Sequence, residues 1–268
     1  MAVPSALQEI HVLNDRSALL SKLRLTGSVN LTLTGRHGGT STFQAHAVLL
    51  VDQKRVPHLL LVGTYLGQDA FEMGMNRQIY WLIDHQHKIA YVGRVALADR
   101  LPTGVMPLRP QRVLQMLGIT PVILNDQTRI AMFNVPHTGR YNLLLLNSGG
   151  GSLDHIKRQI SISRYTGQVR EVRLYDRRGR VIAYSDLSDY RPLGQAFDGV
   201  ALPTRIIIHY LDAHAEMVFH VRHAVLHIPG KSAFIFASPS FQGLKVADMD
   251  NPANWRITNS TTSPATTK

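Results

Sequence analysis

Four groups of residues in this 268-residue chain could do chemistry: thirteen histidines, a pair of aspartates, a gathering of arginines and the backbone amides of a run of glycines. His220, His223 and His227 fall together late in the chain, and His85 and His87 flank Gln86. Imidazole is a common ligand for transition metals, but a site needs three or four donors converging on one ion. On a regular strand His220 and His223 point to opposite faces, so they share an ion only if a bulge intervenes. His223 and His227 share a face, but no carboxylate or third donor accompanies them. Asp186 and Asp189 could form an acid pair, yet the segment around them, SDLSDY, reads as a strand end. Gly149–Gly150–Gly151–Ser152 has the composition of a phosphate cradle. It lies between two strands and not before a helix, so no helix dipole reinforces its amides, and it reads as a hairpin loop. The chain has no G-x-S-x-G, H-E-x-x-H, Walker A or G-x-G-x-x-G motif. Cysteine is absent, which removes disulfides, zinc thiolates and thiol catalysis. The expectation is a protein that is not an enzyme, with no metal and no cofactor.

The arginines point to partners. Arg158, Arg164, Arg170, Arg173, Arg177, Arg178 and Arg180 gather in one hairpin region, with Tyr165 and Tyr175 among them. Basic residues interleaved with exposed aromatics can bind single-stranded nucleic acid, while the plain alternative is a solvated strand face. The formal net charge of +11 favours an anionic membrane surface or an acidic protein partner as well. No Lys/Arg block resembles a nucleic-acid-binding tail, and nucleic acid is not the expected partner.

These residues must be carried mostly by strands. Pro57 to Gly93 reads as four short strands, centred near Leu61, Phe71, Trp81 and Ala90. The turns between them are too short for a parallel crossover, so this is an antiparallel meander. Apolar residues occupy both of its faces: Leu59 and Leu61 against Leu60 and Val62, Phe71 and Met73 against Ala70. A sheet apolar on both sides needs two layers of cover, or a cavity on one. Ser5 to Leu23 has helical spacing, with a break allowed at Asn14–Asp15. Leu25–Leu33 and Phe43–Val51 alternate as half-buried strands around a turn at His37–Gly39. Arg109 to Leu117 is the convincing internal helix, with Pro110 in its first turn and Gly118 after its end. The second half reads as strands again, from Arg129 to Leu226, with Phe234–Phe236 as a short edge strand. Residues 251–268 read as an irregular, flexible tail after a domain spanning 1–250.

The order of these elements resembles a known family. A helix precedes LRLTGSVNLTL; paired strands follow as FQAHAVLLVDQKRVPHLLLVGTYLGQDAFEMGMNRQIYWLID. Then come the helix PLRPQRVLQMLG, hairpins ending in VREVRLYDRRGRVIAYSDLSDYR, and LPTRIIIHY with AEMVFHVRHAVLH. This is similar to the bacterial outer-membrane lipoprotein carrier and receptor proteins, the LolA/LolB-like superfamily, from about Ala6 to Asp248. The resemblance implies a mainly β fold: a single curved antiparallel sheet, a half-open barrel, with an N-terminal helix and one or more short helices over its concave face. It also implies that the concave cavity binds a lipid acyl chain or lipoprotein in the periplasm. The receptor's lipobox cysteine is missing, and neither the carrier's key arginine nor the receptor's protruding loop residue has a matching motif. On this reading the cavity is lined by Leu61, Tyr65, Phe71, Met73, Trp81, Leu114, Leu117 and Phe219. The protein is then periplasmic or attached to the outer membrane after loss of an export signal, or cytoplasmic if MAVPSALQEI is its native start. An envelope sensor or scaffold whose cavity is filled by its own side chains is the alternative.

Overall fold

The computed structural model describes residues 4–34, 40–100, 108–148, 154–193, 200–228, 230 and 232–254. Fourteen strands among them form one sheet. A first run comprises β1 (Lys22–Thr34), β2 (Thr40–Asp52), β3 (His58–Tyr65), β4 (Gln68–Met75), β5 (Ile79–Asp84) and β6 (Ile89–Arg94). A second comprises β7 (Thr128–Val135), β8 (Arg140–Asn147), β9 (His155–Ser163), β10 (Val169–Tyr175), β11 (Val181–Pro192), β12 (Ala201–Tyr210) and β13 (Ala215–Val225), before a last strand, β14 (Lys245–Asp248). Each run is an antiparallel meander, and the two join where β1 pairs with β13. β14 and β7 are the two edges and do not pair, so the sheet curves without closing. The mainly β, half-open barrel follows from that order.

Two details correct the sequence reading. Phe234–Phe236 is not a strand: a single helical turn, α3 (Ser232–Ile235), occupies it. The edge strand is β14, and it pairs with β6 in parallel, so the sheet is not wholly antiparallel. The N-terminal helix, α1 (Ala6–Leu19), starts in a reciprocal capping box between Ser5 and Gln8 and runs unbroken through Asn14–Asp15. Asn14 does not break it because its amide has a tertiary partner. It donates to the Val122 carbonyl at 3.0 Å and accepts from the Val122 amide at 2.7 Å, tying α1 to the chain beyond the second helix. α2 (Pro110–Met116) has Pro110 in its first turn, and Gly118 follows with φ +67°, the left-handed conformation glycine adopts without strain. The expected turn at His37–Gly39, the Gly149–Ser152 run and residues 255–268 lie outside the described residues.

Register assigns the faces. Leu59 and Leu61 of β3 lie opposite Met75 and Met73 of β4, and Met75 lies opposite Tyr80 of β5. Leu25, Val29 and Leu31 of β1 share this side with Phe219 and Met217 of β13, Ile206 of β12 and Ile160 of β9. These side chains form one apolar cluster on the concave face, joined by Ile10 and Leu13 of α1 and by α2. The meander's second apolar face is real too, but it is small. Trp81, Ile83 and Ala90 form a separate buried cluster on the convex side, under Phe241 and Leu244 of the segment leading into β14. Three glycines receive cross-strand rings: Gly63 that of Phe71, Gly74 that of Trp81 and Gly93 that of Tyr80. A Cβ at any of them would collide with the ring, so these glycines let aromatics lie flat on a curving sheet.

Candidate functional site

The concave face is covered by α2, which packs against β4 of the first run and β10 of the second. Its Val113, Leu114 and Met116, with Leu117 at its end, are all buried in the concave cluster. A helix of this length is not stable alone, so tertiary contacts hold it. Some of them are polar. The Ser185 hydroxyl of β11 donates to the Met116 carbonyl at 2.7 Å, and Nη2 of Arg158 on β9 donates to the Gln115 carbonyl at 3.0 Å. These are two of the carbonyls that a helix C-terminus leaves unpaired. Arg112 on α2 forms a buried ion pair at 2.7 Å with Asp212 in the turn between β12 and β13.

Arg158 is the unusual member. It lies on the concave face opposite Leu145 and Leu174, and no carboxylate pairs with it among the described residues. Its Nε has no hydrogen-bond partner there either. Burial pulls its pKa down to about 10, which leaves it charged at neutral pH. Beside the Arg112–Asp212 pair, burial raises the Tyr210 hydroxyl well above the ordinary tyrosine range, and that hydroxyl is without a hydrogen-bond partner among the described residues. A buried cation held by a single carbonyl bond costs stability unless something compensates it. Sequence reading grouped Arg158 with its neighbours as surface charge. Its signal was parity: Arg158, Ile160 and Ile162 alternate on one face, and that face is the concave one.

The expected lining residues separate. Leu61, Met73 and Phe219 are buried on the concave face, Phe71 packs half-buried against the same cluster, and Leu114 and Leu117 descend onto it from above. Trp81 lies on the opposite face, where its Nε1 donates to Glu72 at 2.7 Å. Tyr65 is 60% exposed at the tip of the β3–β4 hairpin. Strand parity explains the first, since Trp81 is one residue out of phase with Tyr80; Tyr65 shares the parity of Leu61 but lies past the end of the core. Within the described residues the concave face is filled by side chains of the protein itself. Two clefts of about 360 and 330 Å³ open elsewhere, and no residue of α2 lines either.

The other chemical groups do not assemble. A register shift between Thr26 and Gly27 of β1 makes Arg222 an extra residue on β13, so His220 and His223 face the same way after all. Even so, no three metal-ligating side chains come together among the described residues. Asp186 is in mid-strand and faces His209 at 3.7 Å, and Asp189 is an exposed residue with φ +55°. The basic hairpin region is dispersed: Arg158 is inside, Arg173 binds Glu171, Arg180 binds Asp176, and Arg164 lies over the Tyr141 ring.

No family model matches the chain, and no curated protein sequence does. Solved structures share its architecture. A domain described as an outer membrane lipoprotein-sorting protein domain, from Vibrio parahaemolyticus, aligns with TM-score 0.55 and 10% identity over 85% of this chain and 96% of its own. A LolA superfamily protein from Nitrosomonas europaea aligns with TM-score 0.53 and 12% identity over 88% and 99%. The chain has the LolA-like fold. A DUF1329 family protein from Desulfovibrio piger aligns equally well, with TM-score 0.55 and 12% identity over 86% and 97%. The likeness covers 85% or more of this chain, and in this chain α2 lies on the concave side of the sheet.

Proposed function

We propose that this chain is a non-catalytic, carrier-like protein of the bacterial envelope whose concave face takes up the acyl chain of a lipid or lipoprotein as α2 moves aside. The observation that carries this reading is the cover itself. A seven-residue helix covers, with α1, a large apolar face, and an arginine with no carboxylate partner among the described residues holds it by a backbone carbonyl. The magnitudes support an exchange. Burying the four apolar side chains of α2 and its end contributes roughly 6–12 kcal/mol at about 1.5–3 kcal/mol each, and a buried methylene contributes about 0.8 kcal/mol. An acyl chain of about 8–15 methylenes therefore matches what the helix gives up. Leu61, Phe71, Met73 and Phe219 would then line the chain's site, and Met73 and Met75 would adapt to its shape. With the helix displaced, Arg158 would face the polar end of the ligand. A periplasmic location, free or at the outer membrane, fits this role, and no described helix is long and apolar enough to cross a membrane.

The lipid content of protein purified from membranes, read by mass spectrometry, tests this together with displacement of a fluorescent fatty acid. The reading expects bound acyl lipid and displacement that strengthens with chain length up to about 15 methylenes. Neither lipid nor displacement would remove it. A second reading has an observation of its own: the concave face is already filled, as a sensor or scaffold module would have it. That reading expects no chain-length dependence.

A further inference from the structure

We propose that a cleft on the outer side of the sheet, away from α2, binds a phosphate group. The cleft is about 360 Å³ and lies at one end of strands β8 to β12. Three guanidiniums from three strands line it. Arg140 opens β8, Arg170 is the extra residue of the bulge between Val169 and Glu171 on β10, and Arg205 of β12 lies opposite Ser188 of β11. Their charges are left largely unspent by the protein. The Glu171 carboxylate, 4.0 Å from Arg140, is already bonded by both the Nε and Nη2 of Arg173. Arg170 lies over the Tyr190 ring, 5.3 Å from its centroid, a contact that leaves the N–H edges of the guanidinium unused. Arg205 has no ion-pair partner among the described residues. Asp186 is the single carboxylate in the lining, and it faces His209 at 3.7 Å.

The cleft therefore presents three cations and one anion, and it adds the hydroxyls of Ser163 and Ser188 as further hydrogen-bonding groups. Guanidinium forks match phosphate oxygens two at a time, and hydroxyls complete the tetrahedron. The volume is near the lower end of small-molecule sites, room for a phosphate with a small group attached rather than for a bare ion. Tyr165 at the rim is 80% exposed, with its ring resting on Gly139, so the backbone holds an aromatic face beside the arginines. A phosphate of this kind could belong to a soluble phosphate ester or to a phospholipid headgroup, and both present the same chemistry. The site does not depend on the concave face, and a soluble probe separates the failure of one proposal from that of the other.

Calorimetric titration with glycerol 3-phosphate, and flotation with phosphatidylglycerol against phosphatidylcholine vesicles, test it on the whole chain. Wild type is expected to bind glycerol 3-phosphate, and Arg205→Gln or Arg140→Gln to weaken it at least about tenfold, with Arg205→Lys recovering part. The double variant Arg177→Gln/Arg178→Gln removes two exposed turn charges outside the cleft and should bind as wild type. Arg140→Gln carries the same test should Arg205→Gln not fold. If the soluble ester does not bind but phosphatidylglycerol vesicles do, with the same loss in the cleft variants, the phosphate is a headgroup. No binding of either probe overturns the proposal. So does an equal loss in the turn variant, because diffuse charge would then explain everything.

Discussion

Replacing Ser185 by alanine should release α2 without unfolding the sheet. Ser185 is fully buried, and its hydroxyl donates to the Met116 carbonyl at 2.7 Å. Alanine fits the space but leaves that carbonyl buried and unpaired, which costs about 1–3 kcal/mol. If the cost falls on the closed position of α2 alone, the open fraction rises roughly fivefold to a hundredfold, since about 1.4 kcal/mol is a factor of ten. Amide hydrogen exchange reads this directly. The Val113 and Leu117 amides bond to the Arg109 and Val113 carbonyls within the helix, so they exchange when it opens. Their exchange should accelerate by that factor, while strand amides such as those of Leu49 and Leu61 keep the wild-type rate. The reasoning is refuted if strand and helix amides accelerate together, because α2 would then open only with the whole domain.

Three further outcomes follow from named contacts. Arg158→Met should stabilise the fold by about 1–4 kcal/mol in urea unfolding, because it replaces a buried cation that has no carboxylate partner among the described residues with an apolar side chain; a lower midpoint would show that the bond to Gln115 outweighs desolvation. Gly27→Ala should destabilise by about 1–3 kcal/mol or more, since a Cβ there would run into the His220 carbonyl at the β1–β13 seam, and an unchanged midpoint would mean that the seam can spread. Burial holds the His58 imidazole below its ordinary 6.5, against a smaller opposing pull from Asp52. The unfolded chain then takes up the proton first, so His58 contributes full stability above about pH 6.5 and loses it progressively as the pH falls from there through its lower folded-state value. His58 stacks on Phe236 at 5.3 Å, so NMR should show a lowered pKa and the Phe236 contact loosening in acid, and a His58 titrating above 6.5 would reverse the sign.

Much of the fold was legible in the residues because the strands alternate and the turns are short. The meander from β3 to β6 could be placed to within a residue or two, since Gly67, Asn76–Gln78 and His85–His87 leave no room for anything but hairpins. Phe234–Phe236 misled because three apolar residues carry no period, and the tertiary bond from Asn76 to the Phe236 carbonyl decides their shape. β14 was missed because KVAD is too short and too polar to signal a strand. It forms because it finds the open edge of β6. The two apolar faces of the meander were visible, but which one curved inward was not. That depends on the β1–β13 pairing, between residues almost two hundred positions apart. The outward placement of Trp81 and the inward placement of Arg158 are both consequences of that single long-range register.

The most direct test of the cover is to fasten it. The chain has no cysteine, so one engineered pair forms a clean disulfide. A Cβ at Gly118 would stand 3.3 Å from Val169 Cβ, close to the separation of about 3.5–4.5 Å that a disulfide spans, and Gly118 follows the end of α2 that Ser185 and Arg158 hold. Any side chain at Gly118, where φ is +67°, is strained and meets Leu187, so Gly118→Ala is the control that must bind as wild type. Binding of a fluorescent fatty acid to Gly118→Cys/Val169→Cys would be measured before and after reduction. The account predicts no binding while the bridge is closed and wild-type binding once it is reduced. Equal binding in both states, or none in either, would contradict it.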